Sequence, residues 1–357
     1  MTPDQHTHRH AAPDAPASLV YAGIDEAGYG PRIGPLTVGL SVFRVRSEPR
    51  PTPEASRGER IPPTDLWRRL RGVVGRAPDA TRAHKPIVYV DDSKRLKGAN
   101  SLKRRHPLDR LEQGVLAFLR ILGHAPADDA GVLRVLGASA ELAPWYLGAP
   151  TPSPISTTPE HIGVLSSGLR GGLTRVGVAP LALRCALIGE AEFNEIVAEH
   201  GSKAVVNFSA AISHLRTVWR EFGADAPIVA VDRHGGRVCY GRGLARAFPD
   251  ATLRVVEESH DRSEYELIER AGRSGSNRRM RVMFEIEADA RRLPTALASM
   301  IAKLARELTM ARLNRYWCGR MPNLAPTAGY GVDAHRWLGE VGPHLTVSDR
   351  AMLVRRA

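Results

Sequence analysis

The sequence predicts an α/β fold, in which helices flank a sheet. Two short apolar runs, 19–24 and 36–43, are separated by a Gly- and Pro-dense stretch, which is typical of a β-hairpin. A third run, 228–231, is apolar throughout and ends abruptly in an aspartate, as a buried central strand does. Apolar residues at helical spacing between about 107 and 122 indicate an amphipathic helix that buries one side.

The composition is that of a globular protein with a substantial core. The chain has 357 residues, of which 43% are hydrophobic. Fifty Lys and Arg against 38 Asp and Glu give a net charge of +12, which favours polyanionic partners, although a general arginine bias would give the same excess. Three widely separated cysteines argue against a disulfide scaffold or zinc site. Without a membrane-length apolar run, we expect a cytoplasmic protein that does not bind membranes.

Two adjacent acids, Asp25 and Glu26, stand at the end of the first apolar run. Neighbouring residues on an extended chain point to opposite faces, so at least one of the two must face solvent, a metal or a partner. Gly28, Tyr29 and Gly30 follow, and glycine backbone there can take positive φ and let a large ligand approach. For an isolated Asp-Glu pair, an acidic turn between two strands is the preferred interpretation.

Three further stretches carry polar residues where an element begins or ends. Asp232 closes the run 228–231, either at a site on the sheet edge or as a turn acid. Ser93 and Lys94 begin a short helix and offer a hydroxyl and a charge suited to phosphate, or else form a solvated basic turn. Asp289 precedes a helix that has the apolar stripe of an ordinary core-facing helix, and Lys303 lies off that stripe.

Together these blocks resemble, in the same order, the motifs of ribonuclease HII. The blocks are 23–35 with its Asp-Glu pair, 92–96 with Asp-Ser-Lys-basic-Leu, 289–303 with an acid before Ala-Ser-(apolar)₂-Ala-Lys, and 328–343 with a Gly-Tyr segment. Asp232 stands where that family has another carboxylate. The sequence departs from the family at Tyr29, where the family carries arginine, and at Asp349-Arg350, where it has His-Arg.

The resemblance implies a ribonuclease H-like mixed twisted sheet flanked by helices, with insertions. It implies that the catalytic and metal-binding residues are Asp25, Glu26, Asp232 and Asp289. It also implies that substrate is bound by Gly28, Tyr29, Gly30, Ser93, Lys94, Ser299, Lys303 and Tyr330, with Tyr330 and the glycine-flanked backbone sensing a 2′-hydroxyl.

The acids themselves indicate the cofactor. Four clustered carboxylates repel one another unless divalent cations neutralise them, and oxygen-only ligands favour Mg²⁺ or Mn²⁺ over zinc. The resemblance implies two such ions and hydrolysis of the RNA strand of RNA–DNA hybrids, or of ribonucleotides embedded in duplex DNA, leaving 3′-hydroxyl and 5′-phosphate ends. Two alternatives stay open: a metal-dependent DNA nuclease of the same fold, and a non-catalytic relative that only binds nucleic acid.

The expected organisation is a monomer with a disordered leader at 1–17 and one catalytic domain at 18–357. The segments 46–86 and 123–175 do not match the family and are predicted insertions, and 320–357 is a predicted helical C-terminal segment. Within 123–175, Trp145 and Tyr146 either fix a long loop to the body, the preferred interpretation, or stack on bases. Strands are predicted at 252–256 and 281–287, with a polar stretch between them.

Overall fold

The computed structural model describes residues 18–46, 65–76, 87–98, 106–138, 143–270 and 277–356. The predicted leader at 1–17, most of the predicted insertion at 46–86 and the greater part of the basic loop before residue 279 lie outside the described residues. The boundaries of the two insertions therefore stay predictions.

An open, seven-stranded mixed sheet lies at the centre of the described chain. Its strand order is β5-β2-β1-β6-β9-β8-β7, and β3 and β4 form a separate short pair. In chain order the strands are β1 (Ser18–Ala27), β2 (Leu36–Arg46), β3 (Val74–Gly75), β4 (Val88–Tyr89), β5 (Val178–Ile188), β6 (Ile228–Asp232), β7 (Ala251–Glu258), β8 (Arg262–Glu269) and β9 (Arg279–Glu285). Strand β6 runs parallel to β1 and β9, whereas the other pairs of the large sheet are antiparallel. The predicted mixed sheet is confirmed.

Helices cover both faces of this sheet, as predicted. They are α1 (Leu66–Arg69), α2 (Ser93–Leu96), α3 (Asp109–Ile121), α4 (Asp129–Val135), α5 (Pro159–Arg175), α6 (Glu190–His200), α7 (Lys203–Phe222), α8 (Gly241–Ala247), α9 (Ala288–Arg291), α10 (Leu293–Arg320), α11 (Gly331–Val341) and α12 (Val347–Leu353). Single 3₁₀ turns lie at Pro144–Tyr146, Gly223–Asp225 and Gly342–His344. None of the helices in the described part of the chain combines the length and apolar character needed to cross a bilayer.

Alternating residues of the strands divide the core into two layers. On β1, Tyr21 packs into the layer beneath α3, α5 and α10, whereas Ala22 and Ile24 pack into the layer beneath α7 and α8. This alternation follows from the two-residue repeat of an extended chain. Helices α7 and α10 therefore lie on opposite faces of the same strands.

The long helix α10 lies unusually close to the sheet because two glycines face it. A Cβ atom on Gly23 would lie 2.1 Å from the Thr295 nitrogen, and one on Gly39 would lie 2.1 Å from the Ala298 oxygen. Ser41 also donates a hydrogen bond of 2.7 Å to the Pro294 oxygen. These contacts fix the start of α10, and with it Ser299 and Lys303, against the ends of β1 and β2.

Among the described elements that were not expected from the sequence are β8 and α5. Strand β8 lies in the polar stretch between β7 and β9, where its buried Glu264 is ion-paired with Arg281 at 3.2 Å. A charged residue on the buried face hides the apolar alternation by which a strand is recognised. Helix α5 lies in the predicted insertion at 123–175, where four glycines weaken the helical pattern.

The two aromatic residues of that insertion fix it to the body of the protein. Trp145 and Tyr146 are 1% and 0% exposed. The ring centroid of Trp145 lies 6.2 Å from that of Trp317 on α10, and the hydroxyl of Tyr146 donates to Glu190 at 2.6 Å. Buried rings cannot stack on bases, so the preferred interpretation is confirmed and the stacking alternative is wrong.

Candidate active site

Parallel pairing of β1 and β6 brings the first three predicted acids to one edge of the sheet. Ile24 pairs with Val231 in this register, so Asp25 and Asp232 come next, side by side, near the carboxyl ends of β1 and β6. The carboxyl ends of parallel strands meet at the same edge, which is where sites of open α/β sheets form. The chain thus gathers acids that are about 200 residues apart in the sequence.

Asp25, Glu26 and Asp232 form a compact group. One carboxylate oxygen from each of the three lies within 4.8 Å of the others. Asp25 is buried, at 7% exposure, and the other two are half-buried. Main-chain N–H groups orient two of them: Glu26 donates to Asp25 at 2.7 Å, and Ala288 donates to Asp232 at 2.8 Å.

Asp25 and Glu26 reach this group from opposite faces of β1. Asp25 points toward α10, where the Ser299 side chain opposes the rise in its pKa that burial causes. Glu26 points toward α7, where the Asn207 side chain likewise opposes the rise in its pKa that burial causes. The opposite orientation predicted for these neighbours from the strand repeat is therefore observed.

Asp289 lines the same cleft but lies outside this three-residue group. It belongs to α9, and its own carboxylate accepts a hydrogen bond of 2.8 Å from the Ala290 nitrogen. Its charge is close enough to raise the pKa values of Asp25 and Asp232. The structure thus brings four acids into one cleft, three of them in close mutual contact.

The electrostatics of the group indicate a site for cations. Burial, followed by the charges of Glu26 and Asp232, raises the pKa of Asp25 well above its usual value. Burial is also the largest cause that raises the pKa of Asp232 to about 7 and that of Glu26 above its normal range. Three carboxylates at this spacing are fully ionised at neutral pH only when positive charge compensates them.

The donors of this group fit a hard divalent cation. All three are carboxylates, and oxygen-only ligands suit Mg²⁺ and Mn²⁺. The nearby His234 is 7% exposed and packs edge-on against Phe208 and Tyr240, so its ring belongs to the core. The residues present therefore fit the predicted metal.

Every residue predicted to bind substrate lines one cleft of about 740 Å³ together with the four acids. These residues are Gly28, Tyr29, Gly30, Ser93, Lys94, Ser299, Lys303 and Tyr330. They come from the β1–β2 loop, α2, α10 and the start of α11, elements that are far apart along the chain. Their convergence follows from the tertiary fold.

The motif at 92–96 is held in place by hydrogen bonds to its neighbours. The Asp92 side chain accepts from the Lys94 nitrogen at 2.8 Å and so caps α2. Ser299 donates to the hydroxyl of Ser93 at 3.0 Å, and both serines are buried. Two of the predicted motifs are thus in direct contact.

The two predicted lysines differ in their partners. Lys303 is ion-paired with Glu307 at 2.9 Å, and Lys97 pairs with the same carboxylate at 3.1 Å. Lys94 lies nearer the acids, and its charge opposes the rise in the pKa values of Glu26 and Asp289 that burial causes. Lys94 is therefore the lysine of this pair that is better placed to meet a ligand.

Sequence reasoning missed two residues that shape the cleft. Asn207 is 1% exposed, and its amide lies close enough to Glu26 to oppose the rise in the pKa of that carboxyl that burial causes, although no hydrogen bond of ordinary geometry joins the two side chains. An asparagine among the small and apolar residues that open α7 was the available signal. Arg355 is buried beneath the β1–β2 loop, and nothing local in the sequence marked it.

No protein-family model matches the chain, and neither does any curated protein. Among solved structures, the chain is similar to RNase HII in the PCNA:RNase HII complex from Archaeoglobus fulgidus, with 16% identity over 94% of this chain and 93% of that one, and a TM-score of 0.41.

Two further solved structures are similar over most of this chain. Ribonuclease H2 from Pyrococcus horikoshii OT3 is 15% identical, with coverage of 94% and 92% and a TM-score of 0.36. Bst-RNase HIII in complex with Mn²⁺ is 12% identical, with coverage of 95% and 67% and a TM-score of 0.38.

Proposed function

We propose that this protein is a metal-dependent endonuclease that hydrolyses the RNA strand of RNA–DNA hybrids and cuts at ribonucleotides embedded in duplex DNA. The observation that carries the proposal is the group formed by Asp25, Glu26 and Asp232, whose oxygens lie within 4.8 Å of one another. The cleft above this group is lined by residues of all four motifs that resemble ribonuclease HII.

Asp25, Glu26 and Asp232 would hold the metal, with Asp289 completing the ligand set. When bound, Mg²⁺ or Mn²⁺ ions supply an activated water and neutralise the charge that develops on the leaving oxygen. The hydrogen bonds from the Glu26 and Ala288 nitrogens orient two of these carboxylates in advance. Preorganised ligands need little rearrangement during the reaction, which lowers its barrier.

The surrounding residues would position the nucleic acid. Lys94 and the hydroxyl of Ser93 suit a backbone phosphate beside the acids. The main chain at Gly28-Tyr29-Gly30 and the ring of Tyr330 would sense the 2′-hydroxyl, the group that distinguishes RNA from DNA. Gly28 has a φ of 85°, and a Cβ there would lie 2.7 Å from the Pro35 oxygen, so this loop conformation requires glycine.

The test is cleavage of three matched duplexes by the purified protein with Mg²⁺ or Mn²⁺: one of DNA with a single ribonucleotide, one RNA–DNA hybrid, and one all-DNA control. We expect cuts at the ribonucleotide and in the RNA strand, leaving 3′-hydroxyl and 5′-phosphate ends, and none in the control. Equal cleavage of the control would identify a DNA nuclease instead. Binding without cleavage would identify a non-catalytic relative.

A further inference from the structure

A lysine lies over the tyrosine that departs from the family pattern. The ammonium nitrogen of Lys203 is 5.3 Å from the ring centroid of Tyr29, a cation–π distance. Tyr29 lines the cleft, and Lys203 is the first residue of α7. The edge of the cleft therefore carries a positive charge beside Tyr29, and α7 supplies this charge through Lys203.

Among the residues that the structure describes, no acid forms an ion pair with this lysine. Within the described ranges, Lys203 has no carboxylate within ion-pair distance, and the same is true of Lys94. Other cations near the cleft do have such partners: Lys303 pairs with Glu307 at 2.9 Å, and Arg95 pairs with Asp91 at 3.6 Å. Lys203 and Lys94 are thus available to an anionic ligand.

The two lysines flank the acids from opposite layers of the fold. Lys94 belongs to α2, whose Leu96 packs into the core layer beneath α10. Lys203 belongs to α7, whose Val206 packs into the layer on the other face of the sheet. The carboxylate group lies at the sheet edge between these layers, so a strand crossing the acids would pass one lysine on each side.

We propose that Lys203, held against the ring of Tyr29, binds a backbone phosphate of the nucleic acid on the side of the acids opposite Lys94. The ring restricts the lysine side chain before binding, which lowers the entropy lost when it contacts the phosphate. A lysine makes this contact as a point charge, without reading the base sequence. The inference rests on the proposed function and adds a binding residue to that site.

The test compares Lys203→Ala with Lys203→Arg and with Arg220→Ala. Arg220 lies on the same helix, 17 residues further along and hence about 25 Å away, and its replacement changes the net charge equally. Affinity for a labelled RNA–DNA hybrid is measured in EDTA at several salt concentrations, and kcat and KM are measured with Mg²⁺.

We expect Lys203→Ala to raise both Kd and KM about fivefold at low salt, with little change in kcat, and to reduce the slope of log affinity against log salt by about 1. Lys203→Arg and Arg220→Ala should behave like the wild type. The proposal is overturned if Lys203→Ala matches Arg220→Ala, or if Lys203→Arg is as weak as Lys203→Ala.

A second comparison tests the role of the ring. Tyr29→Ala should weaken binding, and adding Lys203→Ala should weaken it little further, because the two side chains act as a unit. Tyr29→Phe keeps the ring and should retain the affinity. Fully additive losses would contradict the proposed pairing. A wild type that neither binds nor cuts the hybrid would instead refute the proposed function.

Discussion

The guanidinium of Arg355 donates a hydrogen bond of 2.9 Å to the main-chain oxygen of Tyr29. It also donates to the main-chain oxygen of Gly28, and it lies 3.9 Å from the ring centroid of Phe193. Burial, together with the charge of Arg306, lowers the pKa of Arg355 to about 10. The C-terminal segment thus supports from beneath the loop that lines the cleft.

Replacing Arg355 should therefore destabilise the protein and loosen this loop. For Arg355→Ala we expect the free energy of unfolding to fall by about 2–3 kcal/mol, because the main-chain oxygens of Gly28 and Tyr29 lose their hydrogen-bond donor. Denaturant unfolding measures the change, and KM for the hybrid should rise. Arg350→Ala, at an exposed position five residues earlier, is the matched control. Equal stability of the two variants would show that Arg355 is dispensable.

Removing one acid should weaken metal binding, to an extent that depends on its place in the group. We expect saturating Mn²⁺ to raise the Tm of the wild type. At a Mn²⁺ concentration one hundred times Kd, the free energy of unfolding rises by about 2.7 kcal/mol. Asp25→Asn should lose this shift and also be more stable than the wild type in EDTA, because mutual repulsion is relieved.

Asp289 lies outside the close group, so Asp289→Asn should keep part of the Mn²⁺ shift. The exposed Asp225→Asn is the control and should keep all of it. Differential scanning fluorimetry with and without EDTA distinguishes these outcomes. A full shift in Asp25→Asn would exclude this group as the metal site.

The close approach of α10 to the sheet predicts that alanine substitutions at Gly39 and Gly319 change the stability of the protein very differently. Gly39→Ala places a methyl group 2.1 Å from the Ala298 oxygen, so the helix must move away from β2. We expect a loss of about 3 kcal/mol or more in unfolding free energy, together with reduced activity as Ser299 shifts.

Gly319→Ala lies within α10 itself and meets nothing within 4 Å. It should be neutral or stabilise the protein by up to about 1 kcal/mol, because alanine favours the helix. Chemical denaturation of both variants checks the contrast. A well-tolerated Gly39→Ala would mean that the helix does not depend on this close contact.

Buried histidine makes the stability of the protein depend on pH. His214 donates from Nε2 to the Val38 oxygen at 2.8 Å, and burial lowers its pKa from 6.5 to about 4. Between these two values the unfolded chain binds the proton and the folded protein does not, so stability falls as the pH drops from about 6.5 to about 4. The loss from this residue is up to about 3 kcal/mol.

His214→Gln keeps a donor for Val38 without titrating, so it should remove that part of the loss. The exposed His335→Gln should leave it unchanged. Unfolding free energies at pH 7 and pH 5, compared between the variants and the wild type, measure the difference. An identical pH dependence in wild type and His214→Gln would contradict the prediction.

The sequence alone was sufficient to predict the hairpin of β1 and β2, the buried strand β6 and the acids that follow them. These features are local: apolar runs, turn residues and the alternation of Asp25 and Glu26 are readable within a few residues. Strand β8 was not predicted because its buried Glu264 is ion-paired with Arg262 of the same strand and with Arg281 of β9. No local sequence pattern reveals such pairing.

Only the tertiary structure decided which distant residues meet. The fold brings Arg355 under Tyr29 across 326 residues, Lys203 over the same ring, and Asn207 beside Glu26. It also separates Asp289 from the three acids in close contact. The physical reason is that strand pairing and helix packing fix these distances, whereas residue spacing along the chain determines only which side of its own element a residue occupies.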